Sequence, residues 1–117
     1  MASTVSCMIV DCAEMHSLAR FWAAVLGVAM AAEQEEGFVS LPALPGGLIL
    51  AFQNVPEGKA GKNRVHLDVT PSGTTQEDEV ARLEGLGARR ADVGQPTDAG
   101  WVVMRDPEGN EFCVLRP

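Results

Sequence analysis

The sequence predicts an α+β fold built from two βαβββ modules, about residues 1–57 and about 58–117 of one 117-residue domain. Three observations carry this. The chain repeats itself at a nearly constant spacing. Each half opens with a strand and then a helix. The chain closes on a plain β-hairpin signal whose counterpart recurs in the first half.

The elements follow in order. "TVSCMIVD" aligns with "NRVHLDVT", so that Cys7 falls on His66, Met8 on Leu67 and Val10 on Val69. Both segments alternate apolar and polar residues, the strand period. A helix is expected from about Glu14 to Leu26. Asp11 and Glu14 have capping-box spacing, Leu18, Phe21, Trp22, Val25 and Leu26 form an apolar face, and Gly27 stops it. The matching helix spans about Gln76 to Leu86, with Thr75 as cap, Val80, Leu83 and Leu86 facing inward, and Gly87 as stop. A second strand is expected near Met30–Gln34 in one half and near Arg89–Gln95 in the other. "GFVSL" (Gly37 to Leu41) then matches "GWVVM" (Gly100 to Met104), and "LPGG" takes the turn position of "DPEG". Asp106-Pro107-Glu108-Gly109 is type I turn chemistry. Finally "AFQNV" lies on "EFCVL", pairing Phe52 with Phe112 and Gln53 with Cys113.

Composition limits the function. The net charge of −7 repels phosphate backbones, and the basic residues form no helical stripe, so no nucleic-acid partner is expected. Lys59, Lys62 and Arg64 cluster in "EGKAGKNR", which reads as a solvated loop and lacks phosphate-loop spacing. An acidic surface favours a cationic small molecule over an anionic one. No apolar run is long enough to span a bilayer, and no leader pattern opens the chain. Three cysteines, an odd number, point to reduced thiols and a cytoplasmic location.

Alternation sorts the strand faces. In "RVHLDVT", Val65, Leu67 and Val69 belong under the helix, leaving His66 and Asp68 on the opposite, concave face. Met8 and Val10 go under the first helix, leaving Cys7, Ile9 and Asp11. Phe112 and Val114 go under, leaving Glu111, Cys113 and Leu115. Phe52 goes under and Gln53 faces out. Cys7, Gln53, His66 and Cys113 are therefore expected to face one cleft. Trp101, with Val103 and Arg105, is expected at the cavity, a core position being the alternative. Trp22 is expected in the core.

With "FWAAVLG", "KNRVHLDV" and "DPEGNEFCVL", the chain from Thr4 to Arg116 resembles the vicinal oxygen chelate superfamily of glyoxalases, bleomycin-resistance proteins and ring-cleaving dioxygenases. It is most similar to the small glyoxalase-like proteins of high-GC bacteria. The resemblance implies an eight-stranded, partly open barrel-like sheet around a cleft, helices outside, and a homodimer with a cleft within one chain or shared across two. In metal-using members, four strand positions hold a divalent cation. Here these are Cys7, Gln53, His66 and Cys113. Both cysteines depart from the glyoxalase pattern, and one histidine is too few for dioxygenase iron, so glyoxalase I and extradiol dioxygenase activities are disfavoured.

Three readings stay open. In the first, the cavity is metal-free and binds or sequesters a small molecule, aromatic or cationic, with Cys7, Gln53, His66, Asp68, Trp101 and Cys113 as contacts. In the second, Cys7, His66 and Cys113 hold zinc, with Gln53 as a weaker ligand, for lyase or isomerase chemistry. In the third, His66 acts as a base without metal. Against the zinc reading, a cysteine is often only a small buried hydrophobe, here lining an apolar cavity from which the ancestral ligands were lost. No Ser-His-Asp constellation, dinucleotide loop or CxxC motif is present.

Overall fold

The computed structural model describes residues 1–30 and 36–117. The chain divides into two compact units, Met1–Gly58 and Lys59–Pro117.

The first unit contains β1 (Met8–Cys12), α1 (Met15–Leu26), β2 (Val39–Ser40) and β3 (Leu50–Asn54). Its three strands run in the order β1-β3-β2, with β1 parallel and β2 antiparallel to β3. Helix α1 buries Leu18, Ala19, Phe21, Trp22 and Val25, the apolar face that its spacing announces. It packs on β3, whose Leu50 and Phe52 are fully buried. Each such side chain contributes roughly 1.5–3 kcal/mol by leaving water. Gly27 stops the helix in the left-handed region, φ 66°, which lets the Val28 N–H return to the Ala23 carbonyl at 3.0 Å.

The N-terminal cap differs from the capping-box expectation. Strand β1 continues through Cys12, so Asp11 is a strand residue and Glu14 holds the N-cap position. The Met15 N–H instead donates to Asn54 Oδ1 at 2.8 Å, so the end of β3 supplies an acceptor to the start of the helix.

The second unit contains β4 (Asp68–Val69), α2 (Gln76–Gly85), β5 (Arg89–Arg90), β6 (Val102–Arg105) and β7 (Glu111–Val114). The sheet order is β4-β7-β6-β5, with β4 parallel to β7 and the other neighbours antiparallel. Thr75 Oγ1 caps α2 by accepting from the Asp78 N–H at 3.1 Å. Gln76 Nε2 donates to the carbonyls of Gly100 and Val114, tying the start of the helix to the strands below it. Helix α2 packs on β7 and β5, and its Val80 and Leu83 are fully buried, as are Met104, Phe112 and Val114.

The hairpin turn rests on Asp106, which is 1 % exposed. Its Oδ1 accepts from the N–H groups of Glu108 and Asn110, both at 2.9 Å, and its Oδ2 accepts from the Asn110 side chain at 3.1 Å. Gly109 takes φ 86°, which a side chain would resist.

Several expectations need correction. Val65 is 74 % exposed rather than under the helix, because pairing with β7 begins only where the Cys113 N–H reaches the Leu67 carbonyl. Leu86 is 38 % exposed, because α2 ends at Gly85 and the chain turns there. Strand β5 is only two residues long, Arg89–Arg90. Of the strand expected near Met30–Gln34, residues 31–34 lie outside the described residues. The described strands thus form two mixed sheets, of three and four strands, with no closed barrel. Among the described residues no helix is long and apolar enough to cross a membrane.

Candidate functional site

The site grows from the face of the second sheet that α2 does not cover. Register places Asp68 beside Cys113, and Cys113 beside Val103. Period-two alternation then brings His66, Glu111, Leu115 and Trp101 to the same face. The floor is a small apolar cluster of Ala91, Val103 and Cys113, with Val93 and Leu115 packed against it. Above this floor lies a cavity of about 380 Å³. Val93, Trp101, Val103 and Leu115 form its apolar side; Lys62, His66, Asp68, Glu111 and Cys113 form its polar side. Gly94 and Gln95 close it along the loop after β5. Gln95 holds that loop: its Oε1 accepts from the Val93 N–H at 2.8 Å, and its Nε2 donates to the Ala91 carbonyl at 3.0 Å. Trp101, Val103 and Gln95 also line a second hollow of about 370 Å³ beside Arg90, Asp92 and Thr97.

The polar side is a linked set. His66 Nε2 lies 3.1 Å from Asp68 Oδ1, hydrogen-bond distance. Burial pushes the Cys113 thiol above its usual pKa; the Asp68 charge and a hydrogen bond to Asp68 push the same way, and Lys62 opposes them. Cys113 is therefore a protonated thiol at neutral pH, the reverse of what a nucleophilic cysteine needs. His66, Asp68 and Cys113 each bring a donor atom to within 4.8 Å of the other two.

Glu111 is 5 % exposed and ion-pairs with Lys59 at 3.0 Å and with Arg105 at 3.5 Å. It also accepts the Asn63 N–H at 2.9 Å. Burial opposes its charge, but the Asn63 N–H and the Lys59 ammonium prevail and hold the carboxyl at about 2. Lys59 donates in addition to the Gly61 carbonyl. The segment from Lys59 to Asn63 is thereby fastened to β7 at both ends.

Of the residues marked in the sequence, His66, Asp68, Trp101 and Cys113 line this one cavity. Cys7 and Gln53 belong to the first unit. Cys7 is exposed just ahead of β1, and Gln53 Nε2 donates to Asp11 Oδ1 at 2.7 Å. Cys12, given no role from sequence, is buried at the end of β1 with its Sγ 3.3 Å from the Gln53 carbonyl. The donor group within the second unit therefore includes Asp68, which the sequence reading named as a ligand contact but not as a metal donor. Its signal was available: Asp68 stands two strand positions after His66. Lys59 and Lys62 were read as solvated, and Glu111, though placed on the concave face, was given no role. "EGKAGKNR" looks solvated until the loop is seen docked on Glu111.

The sequence profile of a family described as a glyoxalase-like domain matches residues 7–115. The chain belongs to this family. No curated protein matches it. This glyoxalase-like protein is similar in structure to members of the glyoxalase/bleomycin resistance/dioxygenase, or vicinal oxygen chelate, superfamily. One is such a family enzyme from Burkholderia phytofirmans PsJN, with TM-score 0.70 and 19 % identity, covering 93 % of this chain and 94 % of that one. Another is the fosfomycin resistance protein FosX from Mesorhizobium loti, with TM-score 0.71 and 16 % identity, covering 98 % and 92 %. A third is a FosX mutant from Listeria monocytogenes complexed with Mn(II) and 1S,2S-dihydroxypropylphosphonic acid, with TM-score 0.69 and 12 % identity, covering 98 % and 90 %. At these identities the likeness shows the fold.

The donor set of the glyoxalase-like protein fits a divalent cation in kind: nitrogen, oxygen and sulfur within 4.8 Å of one another. His66, Asp68 and Cys113 would hold such a cation, which would supply a Lewis acid at the cavity. Cys113 would have to give up its proton to join.

Proposed function

We propose that this glyoxalase-like protein binds a small organic molecule in the cavity of its second unit, without metal, and acts as a ligand-binding or sequestering protein. One observation carries the reading: an apolar wall with an exposed edge of Trp101 shares a hollow of about 380 Å³ with His66 and Asp68, whose Nε2 and Oδ1 stand 3.1 Å apart. Such a site grips a flat apolar body and orients it through a few polar groups. The raised thiol of Cys113 supports binding over thiol catalysis. Titration with a panel of flat small molecules, followed by tryptophan emission, tests it. Quenching is expected in the wild type and its loss in Trp101→Leu, since Trp22 is buried and remote from solvent. A panel that leaves the emission unchanged counts against the reading.

A second reading has its own support in the donor set His66, Asp68 and Cys113. A divalent metal held there would supply a Lewis acid beside the apolar wall. FosX, complexed with Mn(II), has the same fold. Cobalt uptake read by thiolate absorption tests it; a stoichiometric band lost in Cys113→Ser and weakened in Asp68→Asn is expected. A homodimer remains part of the proposal, and sedimentation at twice 12.4 kDa is the expected result.

A further inference from the structure

The net charge of −7 favours a cationic ligand, but the charges are unevenly placed. Eight of the nine Lys and Arg residues lie between Lys59 and Arg116. At the cavity three cations, Lys59, Lys62 and Arg105, stand with two carboxylates, Asp68 and Glu111. Glu111 is neutralised by two cations, Lys59 and Arg105. Asp68 already faces the His66 ring at 3.1 Å and takes a hydrogen bond from the Cys113 thiol. Lys62 lines the same cavity, and its ammonium donates to the Asn63 carbonyl at 3.3 Å. Among the described residues no carboxylate pairs with Lys62. Lys62 is also held in place. It sits between Lys59 and Asn63, the two points where the strap is fastened to Glu111. Its charge is felt at Cys113, where it opposes the rise of the thiol pKa. A cation thus stands over the polar end of a hollow whose other wall is Trp101 and Leu115.

We propose that the ligand of this cavity is an organic acid, its anionic group held by Lys62 and its apolar body laid against Trp101 and Leu115. The inference rests on the small-molecule reading above and adds the sign of the ligand's charge. Lys62 is the specificity-determining residue. It supplies a compact cation at the cavity mouth, and with Glu111 paired to Lys59 and Arg105, Asp68 is the one lining carboxylate left to oppose an incoming acid.

Three probes of one shape separate the sign of charge from simple burial: phenylacetate, phenylacetamide and 2-phenylethylamine. They are titrated into protein held in chelator, following the indole N–H resonance of Trp101. Phenylacetate is expected to bind about fivefold more tightly than the amide, the scale of a partly exposed charge pair, and the amine most weakly. Lys62→Gln should bring the acid down to the level of the amide and leave the amide unchanged. Lys62→Arg should keep the preference. Equal binding of all three probes, tightest binding of the amine, or a preference that survives in Lys62→Gln overturns the assignment while leaving the cavity a binding site. A Trp101 resonance that none of the probes moves overturns the binding reading itself, and the charge assignment with it.

Discussion

Among the described residues the two units both open with a strand and a helix and close with an antiparallel strand pair, and they differ on one row of residues. In the second, the uncovered face carries Asp68, Cys113 and Val103 side by side across β4, β7 and β6. The corresponding row of the first carries Ile9, Ala51 and Ser40 across β1, β3 and β2. One row holds a carboxylate and a thiol, with an imidazole two positions along. The other holds an exposed isoleucine, an alanine and a serine. Charge divides the same way: Arg20 is the single basic residue before Lys59. A duplicated frame preserves what packs under the helix and leaves the other face free to diverge.

The comparison also shifts an alignment. The sequence sets Gln53 on Cys113, an offset of 60 residues. Hydrogen bonding sets Ala51 on Cys113 and Phe52 on Val114, an offset of 62 relative to both neighbouring strands. A two-residue slip keeps every side chain on its expected face, so alternation cannot detect it. It does change cross-strand partners. Gln53 meets Asp11, and Cys113 meets Asp68.

The contrast can be strained at four points. The largest effect is expected at the hairpins. The second unit's turn hangs on the buried Asp106 carboxylate, whereas the first closes by backbone bonds between Leu44 and Leu48 and between Gly47 and Leu44. Asp106→Ala should cost about 2–4 kcal/mol in urea unfolding, because three donors lose their acceptor, and Leu44→Ala, half-buried in the equivalent turn, about 1 kcal/mol or less.

Next comes Glu111. Its folded carboxyl at about 2 lies below the ordinary 4.5. A depressed acid contributes stability that is present in full above the unfolded value and is lost as pH falls through the folded one. Between pH 5 and pH 2 the wild type should therefore lose about 1–3 kcal/mol more than Glu111→Gln, measured by the urea midpoint.

Thiol labelling gives a smaller contrast. Cys7 is exposed and Cys113 is 8 % exposed, so a maleimide should modify Cys7 at least about tenfold faster, read by mass of the labelled peptides. The smallest effect is expected at Gln53→Ala. Its exposed bond to Asp11 should matter by no more than about 0.5 kcal/mol, and ligand titrations should match the wild type. His66→Ala should weaken the same titrations severalfold.

By itself the sequence determined the strand–helix opening of each half, the apolar face of α1, the Asp106 turn and the side of the sheet on which His66, Asp68 and Cys113 stand. All of these follow from neighbours within a few residues, through strand alternation, helical spacing and turn chemistry. Only the tertiary structure decided the register that joins Asp68 to Cys113, the docking of the Lys59–Asn63 strap on Glu111, and the closure of the cavity by the loop at Gln95. Those contacts lie 45, 52 and 48 residues apart or hang on a loop's own packing. They are chosen by which distant backbone groups find partners, and nothing in local spacing distinguishes one slip of two residues from the next.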